Sequence, residues 1–226
     1  MASILVTGGA GFIGSHTCKA LAADGHVPIT FDNLSRGHAD LIRWGPFVTG
    51  DILDPGALDD AFQRYRPIAV IHFAGLAYVG ESFLEPLRYY KTNASGMVNL
   101  LEAMVRNGTN KIVFSSSCTT YGLPDSLPIS ESAPQRPISP YGRSKLICEQ
   151  ILKDVASSHN LGFAIFRYFN ACGADPSGNL AEKHNPETHL ILLLAIDRSH
   201  VPSEVGRVDM VQSYGFVDSS GFCRTA

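Results

Sequence analysis

The chain has 226 residues, 45% hydrophobic and 17% charged, and a formal net charge of −3 at pH 7. That length suffices for one full domain with a sizeable core and part of another. The small net charge and the lack of a basic block give no support for binding to nucleic acid or to a membrane surface. Five cysteines without close CxxC spacing argue against a disulfide framework or a metal site. We therefore expect a cytoplasmic protein, since no basic leader precedes the first apolar run and the aliphatic stretch at 190–196 is too short to span a bilayer.

Short aliphatic runs alternate with longer helical patterns along the chain. The runs predict strands at Ile4–Val6, Val27–Phe31, Phe47–Thr49, Ala69–Phe73, Lys111–Ser115 and Phe163–Arg167. The helical patterns lie at Ile13–Ala23, Pro55–Tyr65, Glu81–Asn107 and Ser139–Ser158. This alternation predicts an α/β fold of the Rossmann type, a doubly wound parallel sheet with helices on both faces. Because ligands bind at the carboxyl ends of such strands, we expect functional side chains just after each strand.

A glycine-rich segment, TGGAGFIG, follows the first strand and opens the first helix. Gly8, Gly11 and Gly14 allow the backbone to turn sharply and to approach a diphosphate, which the helix N-terminus attracts. Asp32 ends the second strand, where a carboxylate can accept a hydrogen bond from a ribose 2′-OH and repel a 2′-phosphate. The pattern therefore predicts a dinucleotide site that prefers NAD to NADP. Arg36, four residues after Asp32, keeps NADP open.

Two further strand ends suit the same ligand. Asp51 and Ile52 follow the third strand, where they would contact the adenine, and the FAG segment at 73–75 offers small residues where the backbone must pass a cofactor. Each of these segments taken alone favours a structural role over a functional one. Their shared position at strand ends favours the functional interpretation.

The fifth strand and the helix after it carry groups suited to proton transfer. SSSCTTYG places Ser117 at the end of the strand, and SPYGRSK places Tyr141 and Lys145 one helical turn apart on one face. Ser139 and Pro140 are a typical N-cap and first helical residue. A phenol titrates near about pH 10, and a neighbouring ammonium together with the positively charged nicotinamide of a bound NAD would favour its ionised form. The pair therefore predicts a general base with a lowered phenol pKa, assisted by the serine hydroxyl.

Several segments together resemble a known family. They are VTGGAGFIGSH, DNLSRG, GDI, VIHFAG, VGES, SSSCTTYG, SPYGRSK and RYFNACGADPSG, and they lie between Val6 and Gly178. These segments resemble the extended short-chain dehydrogenase/reductases and, within that superfamily, the UDP-glucose 4-epimerases. Dehydratases of the superfamily place Asp and Glu after the serine, whereas this chain has Cys118 and Thr119, so dehydration is disfavoured.

The resemblance implies a tightly held NAD and interconversion of UDP-galactose and UDP-glucose through a 4-keto sugar. It makes Tyr141 the base, has Ser117 assist proton transfer and has Lys145 hold the cofactor. It also implies a set of residues that line NAD: Gly8, Gly11, Phe12, Ile13, Gly14, Asp32, Asn33, Asp51, Ile52, Phe73, Ala74, Gly75, Asn93, Ser115, Tyr141, Lys145 and Phe169. The UDP-sugar would contact Ser117, Tyr141 and Asn170. A homodimer built on the two long helices is implied as well.

The chain departs from the family pattern at two places. Ala77 stands where many members carry a lysine that helps to hold the cofactor, and a pentose-nucleotide epimerase of the family also resembles AYVGES and CTTYG. After NPETHLI the resemblance fades, and the stretch at 190–196 would be the start of another helix. We therefore predict an NAD-binding domain at 1–175 and, at 176–226, the remnant of a largely missing substrate domain. UDP-pentose epimerisation and a truncated NAD-binding module without turnover stay open as alternatives.

Overall fold

The structure is a computed structural model that describes residues 1–171, 173–181 and 216–217. Its centre is a sheet in the order β3-β2-β1-β4-β5-β6-β7. The strands are β1 (Ser3–Thr7), β2 (Val27–Asp32), β3 (Phe47–Thr49), β4 (Ala69–His72), β5 (Lys111–Ser117), β6 (Gly162–Tyr168) and β7 (Phe216–Val217). The first six are parallel, which confirms the predicted doubly wound fold, and β7 is antiparallel to β6.

Helices cover both faces of the sheet. They are α1 (Phe12–Ala23), α2 (Pro55–Tyr65), α3 (Val79–Leu84), α4 (Pro86–Tyr89), α5 (Gly96–Arg106) and α6 (Pro140–His159). Side chains alternate along β1, so Leu5 packs in the larger cluster with α2, α5 and α6. Ile4 and Val6 point to the other face and pack with Cys18 of α1. The sheet order follows from these short crossovers, and it brings the carboxyl ends of β1, β4 and β5 together.

The predicted helix Glu81–Asn107 is wrong as one continuous helix. The segment divides into α3, α4, a π-helical stretch at Tyr90–Ser95 and α5. Pro86 explains the first break, because a proline disfavours the helical conformation of the residue before it, and Glu85 has φ −125° and ψ 55°. The π-helical stretch contains Asn93, so the irregular part of this segment lies beside the predicted cofactor site.

The region beyond the sixth strand is described only in part. β7 pairs with Ile165 and Phe166 of β6, a strand that the sequence did not predict. The predicted helix at 190–196 and most of the predicted segment 176–226 lie outside the described residues, so the domain boundary stays a prediction. Among the described residues, no helix combines the length and apolar composition that crossing a bilayer requires.

Capping side chains set the starts of two helices, and the one at Ser139 was predicted from the sequence. Asp54 accepts hydrogen bonds from the backbone N–H groups of Gly56 and Ala57 at 2.9 and 3.2 Å, and Pro55 occupies the first turn of α2. Ser139 caps α6 in the same way through a 3.0 Å bond from the Gly142 N–H. These caps fix where both helices begin.

Replacing Asp54 by alanine should lower the free energy of unfolding by about 1 kcal/mol, because two N–H groups at the start of α2 lose their acceptor. Urea unfolding followed by circular dichroism measures the change. Asp60→Ala is the matched control, since Asp60 is exposed in the same helix and caps nothing. Equal destabilisation by both variants would contradict the capping role.

Candidate active site

The turn between β1 and α1 requires glycine for steric reasons. Gly8 has φ +73°, and a Cβ there would lie 2.6 Å from the backbone nitrogen of Ala74. A Cβ on Gly14 would collide with the carbonyl oxygen of Gly8. Gly11 is the N-cap of α1 and forms no side-chain cap, so the first-turn N–H groups from Phe12 onward are not used by a capping side chain. The turn can therefore receive an anionic group, as the sequence predicts.

Asp32 lies at the end of β2 beside this turn. Its carboxylate accepts hydrogen bonds from the N–H groups of Ala10 at 3.1 Å and Leu34 at 2.8 Å. Burial raises the pKa of Asp32, and these two backbone bonds act in the opposite direction. Asn33 donates a 2.9 Å hydrogen bond to Asp51, so the predicted adenosine residues of β2 and β3 lie together.

The loop after β4 connects the glycine turn to α6. Gly75 has φ +152°, and a Cβ there would lie 2.9 Å from Asn93 Oδ1 and 3.8 Å from Lys145 Nζ. Asn93 accepts from the N–H of Leu76 at 2.8 Å, and it donates to the Leu76 carbonyl and to Ser144 Oγ of α6. The buried amide of Asn93 is thus engaged by the protein, and it fixes the loop that the predicted cofactor must pass.

The predicted catalytic groups lie at the carboxyl end of β5 and the start of α6. All three are buried, with 7% of Ser117, 8% of Tyr141 and 5% of Lys145 exposed. Ser117 Oγ accepts from the N–H and hydroxyl of Thr119 at 3.2 and 2.9 Å. The Ser117 side chain is close enough to the Tyr141 phenol to act on its pKa. Lys145 Nζ donates to the carbonyl of Ser115 at 2.9 Å and lies 6.0 Å from the centre of the Tyr141 ring. A serine, a phenol and an ammonium group therefore meet next to Gly75.

The sequence matches the profile of the NAD dependent epimerase/dehydratase family over residues 4–210. The chain belongs to this family. UDP-glucose 4-epimerase of Rhizobium meliloti (strain 1021) is 52% identical over 195 residues, which are 86% of this chain and 59% of that relative. The crystal structure of UDP-glucose 4-epimerase from Brucella ovis in complex with NAD aligns with a TM-score of 0.83 and 54% identity, over 84% of this chain and 59% of that one.

A third relative carries a different sugar in its name. Putative UDP-arabinose 4-epimerase 4 of Arabidopsis thaliana is 42% identical over 194 residues, 81% of this chain and 44% of that relative. The chain thus spans about 59% of the length of the UDP-glucose 4-epimerases that it matches. Family membership and the Rossmann-type fold follow from these similarities.

The protein groups alone do not lower the pKa of Tyr141; the predicted lowering also counted a positively charged nicotinamide. Burial raises the pKa of Tyr141 to about 12, and the interaction with Ser117 only partly offsets this increase. The ammonium of Lys145 does not reverse the shift, because it lies 6.0 Å from the ring and is bonded to the Ser115 carbonyl. The protein groups by themselves therefore keep the phenol protonated at neutral pH.

Burial also changes the pKa values of Lys145 and of His72 near it. It lowers the pKa of Lys145, while the nearby Cys148 and Glu149 act in the opposite direction. His72 at the end of β4 is fully buried, and burial, followed by the charge of Lys145, lowers its pKa to about 3. A 2.7 Å hydrogen bond joins the ring nitrogen Nδ1 of His72 to the hydroxyl of Thr7. Because His72 is uncharged, it does not repel a protonated Lys145.

The remaining predicted residues divide into two groups. Ile52 is buried and contacts the position of Gly96 on α5, and Phe73 packs in the smaller cluster under α1. Phe169 is 50% exposed just beyond β6, and Asn170 after it is exposed too. The structure does not bring these last two into hydrogen-bond contact with the catalytic groups, and their roles stay predictions.

Sequence reasoning missed two groups of residues that support the site. Tyr89 is fully buried, packs edge-on against the Tyr141 ring at 6.3 Å and donates a 2.7 Å hydrogen bond to Glu81. Glu149 and Arg167 form a buried bidentate ion pair with bonds of 3.0 and 2.7 Å. The Glu149 carboxylate also accepts from Ser116, next to the predicted catalytic serine. Only the position of Glu149 one turn after Lys145 was available as a signal.

Other parts of the described chain offer little to this chemistry. A groove of about 820 Å³ lies where β4 and β5 begin, and Phe62, Arg66 and Lys111 are among its lining residues. Those strand ends are opposite to the ends that carry the predicted site. Within residues 1–171 and 173–181, no cluster of histidine, cysteine or acidic side chains is placed to hold a metal ion.

Gly14→Ala should lower the free energy of unfolding by about 3 kcal/mol and weaken dinucleotide binding, because the added methyl group collides with the Gly8 carbonyl. Urea unfolding and calorimetric titration with NAD measure the two effects. Gly80→Ala is the control, since nothing lies within 4 Å of a Cβ at that helical position. Normal stability and normal NAD binding of Gly14→Ala would refute the close-packed turn.

Proposed function

We propose that this chain supplies the cofactor-binding and catalytic part of an NAD-dependent nucleotide-sugar 4-epimerase that interconverts UDP-galactose and UDP-glucose. The observation that carries the proposal is the meeting of Ser117, Tyr141 and Lys145 next to Gly75, in the loop that packs against the glycine turn through Ala74. Glycine turns of this kind bind diphosphates, and a phenol next to an ammonium group suits proton exchange with a sugar hydroxyl. The family match and the named UDP-glucose 4-epimerase relatives support the same reaction.

The proposed cofactor is NAD, held along the line of predicted residues from Asp32 to Lys145. The first-turn N–H groups of α1 have no side-chain cap and follow a turn in which Gly8, Gly9 and Gly11 carry no Cβ, so they suit a diphosphate. Asp32 lies at the ribose position, and its negative charge disfavours a 2′-phosphate. The Brucella ovis relative was crystallised with NAD, which supports the assignment.

In the proposed mechanism Tyr141 exchanges a proton with the sugar 4-OH. When bound, NAD supplies the hydride acceptor and donor for the same carbon. Once positive charge added by a ligand has ionised the phenol, Tyr141 removes the hydroxyl proton, and it later returns a proton to the oxygen of the 4-keto sugar. Ser117, next to the phenol, relays the proton between the phenol and the sugar oxygen. Lys145 stays anchored on the Ser115 carbonyl, where its charge orients the cofactor ribose.

The sugar at this site is open to one specific alternative. The similarity to the putative UDP-arabinose 4-epimerase of Arabidopsis thaliana favours UDP-pentose epimerisation as the second candidate. Both sugars share the 4-OH on which Tyr141 would act, so the catalytic groups do not distinguish them. Comparing turnover of UDP-galactose with that of UDP-arabinose decides between the two. Homodimer formation, the cytoplasmic location and the contact of Asn170 with the UDP-sugar stay predictions.

Tyr141→Phe should reduce conversion of UDP-galactose to UDP-glucose by about 10²–10⁴-fold, because the variant keeps the ring but loses the proton-transferring hydroxyl. NAD binding should remain, since the ring still packs against Tyr89. Chromatography of the sugar nucleotides after incubation measures conversion. Tyr65→Phe, at the far end of α2, removes a hydroxyl away from the site and should retain activity. Full activity of Tyr141→Phe would refute the base assignment.

Separate calorimetric titrations with NAD and with UDP should distinguish the epimerase from a third candidate, an NAD-binding module without turnover. The epimerase should bind both ligands, because most substrate affinity comes from the nucleotide rather than from the reacting sugar. NAD binding without UDP binding or sugar conversion would support the module. Binding of neither ligand would refute the proposed site in both forms.

A further inference from the structure

Arg36 is the residue that left the choice between NAD and NADP open, and its backbone lies beside Asp32. A Cβ on the next residue, Gly37, would be 2.9 Å from Asp32 Oδ1. The N–H of His38 donates a 2.9 Å hydrogen bond to the Ala10 carbonyl in the glycine turn. The segment 36–38 therefore lies against the corner where the ribose is expected, and the long side chain of Arg36 starts within reach of that corner.

The guanidinium of Arg36 forms its ion pair with another element and not with Asp32. Its Nη2 donates a 2.7 Å hydrogen bond to Glu81 Oε1 on α3, and its central carbon lies 5.1 Å from the centre of the Tyr78 ring. This contact joins the loop after β2 to α3, which follows β4. Both segments follow strand ends that we expect to border the cofactor. Arg36 is thus charge-paired with Glu81 and placed over the ring of Tyr78, both in the segment after β4.

Glu81 is itself held firmly enough to act as an anchor. Its Oε2 accepts the 2.7 Å hydrogen bond from the buried Tyr89, and its Oε1 also accepts from Arg88 at 3.3 Å. The Glu81 side chain is 23% exposed, compared with 42% for Arg36, so the arginine is the more exposed member of the pair. Loss of the carboxylate would release the guanidinium rather than displace α3.

We propose that Glu81 is a specificity-determining residue that keeps the cleft selective for NAD over NADP by holding Arg36 on α3. A bound 2′-phosphate requires a cation, and an arginine suits it because its planar fork donates two hydrogen bonds at once. Glu81 withholds that cation from the ribose corner, where Asp32 already repels a phosphate. This inference rests on the proposed NAD site. It makes Glu81 a second carboxylate, besides Asp32, that favours NAD over NADP.

The test compares NAD and NADP affinities by calorimetry after any copurified dinucleotide has been removed. Glu81→Gln should raise NADP affinity relative to NAD by about threefold or more, the size expected for losing one partly exposed ion pair. The glutamine keeps an oxygen that can accept the Tyr89 hydrogen bond, which favours retention of the local fold. Glu81→Asp, which keeps the charge but shortens the reach to Arg36, should give a smaller change in the same direction.

Two controls separate release of Arg36 from a change in overall charge. The double variant Glu81→Gln/Arg36→Gln should return the ratio to its wild-type value, because the released cation is absent. Glu85→Gln removes a carboxylate that bonds Arg88 and makes no bond to Arg36, so it should leave the ratio unchanged. Equal shifts in either control and in Glu81→Gln would overturn the inference.

The same titrations distinguish failure of this inference from failure of the proposed function. If the wild-type chain binds NAD and neither Glu81 variant changes the NAD-to-NADP ratio, the role of Glu81 is wrong and the NAD site stands. If the folded wild-type chain binds neither dinucleotide, the proposed function and the role of Glu81 fall together. Circular dichroism of each variant establishes folding, so a lost signal from an unfolded variant is not counted as a specificity change.

Discussion

Gly8 lies so close to the backbone at Phe73 and Ala74 that a residue with a Cβ would push the ends of β1 and β4 apart. That approach sets the position of the loop in which Gly75 follows. Gly75 in turn packs against the amide of Asn93, which bonds to Ser144 of α6. These contacts connect the glycine turn, which would hold the diphosphate, to α6, which carries the predicted base Tyr141. The position of α6 therefore depends on the position of that turn. Substitutions at either glycine act on both ends of the cleft.

Burial drives the two predicted proton-transfer groups toward their uncharged forms. It raises the pKa of Tyr141 to about 12 and lowers the pKa of Lys145, because a low-dielectric site disfavours charge of either sign. Reasoning from sequence counted the attraction of the phenolate to the ammonium and to a positively charged nicotinamide, and it omitted the cost of burying the phenolate and the ammonium. Any lowering of the phenol pKa toward neutrality would have to come from positive charge that a ligand adds. A positively charged ligand bound beside Tyr141 would therefore lower the pKa of the phenol.

Local sequence signals predicted the parts of the fold that depend on neighbouring residues. The start of α2 at Pro55 and its end at Tyr65 agree with the structure, because Asp54 and Pro55 are a cap and a first-turn residue. The helix predicted across Pro86 was wrong, although the proline was visible, because the apolar spacing on both sides continued. Contacts such as Arg36 with Glu81 join residues 45 positions apart, and no local pattern encodes them.

The buried pair of Glu149 and Arg167 shows how such distant contacts shape the site. Glu149 is fully buried on α6, Arg167 is 9% exposed on β6, and Ser116 on β5 donates to the same carboxylate. Taking two charges out of water costs several kcal/mol, which their bidentate attraction offsets only when the geometry is good. Such a pair adds little net stability, yet breaking it by removing one partner costs about 3–5 kcal/mol. Its consequence is geometric, since one carboxylate fixes the helix bearing Tyr141 against the strand that ends at Ser117.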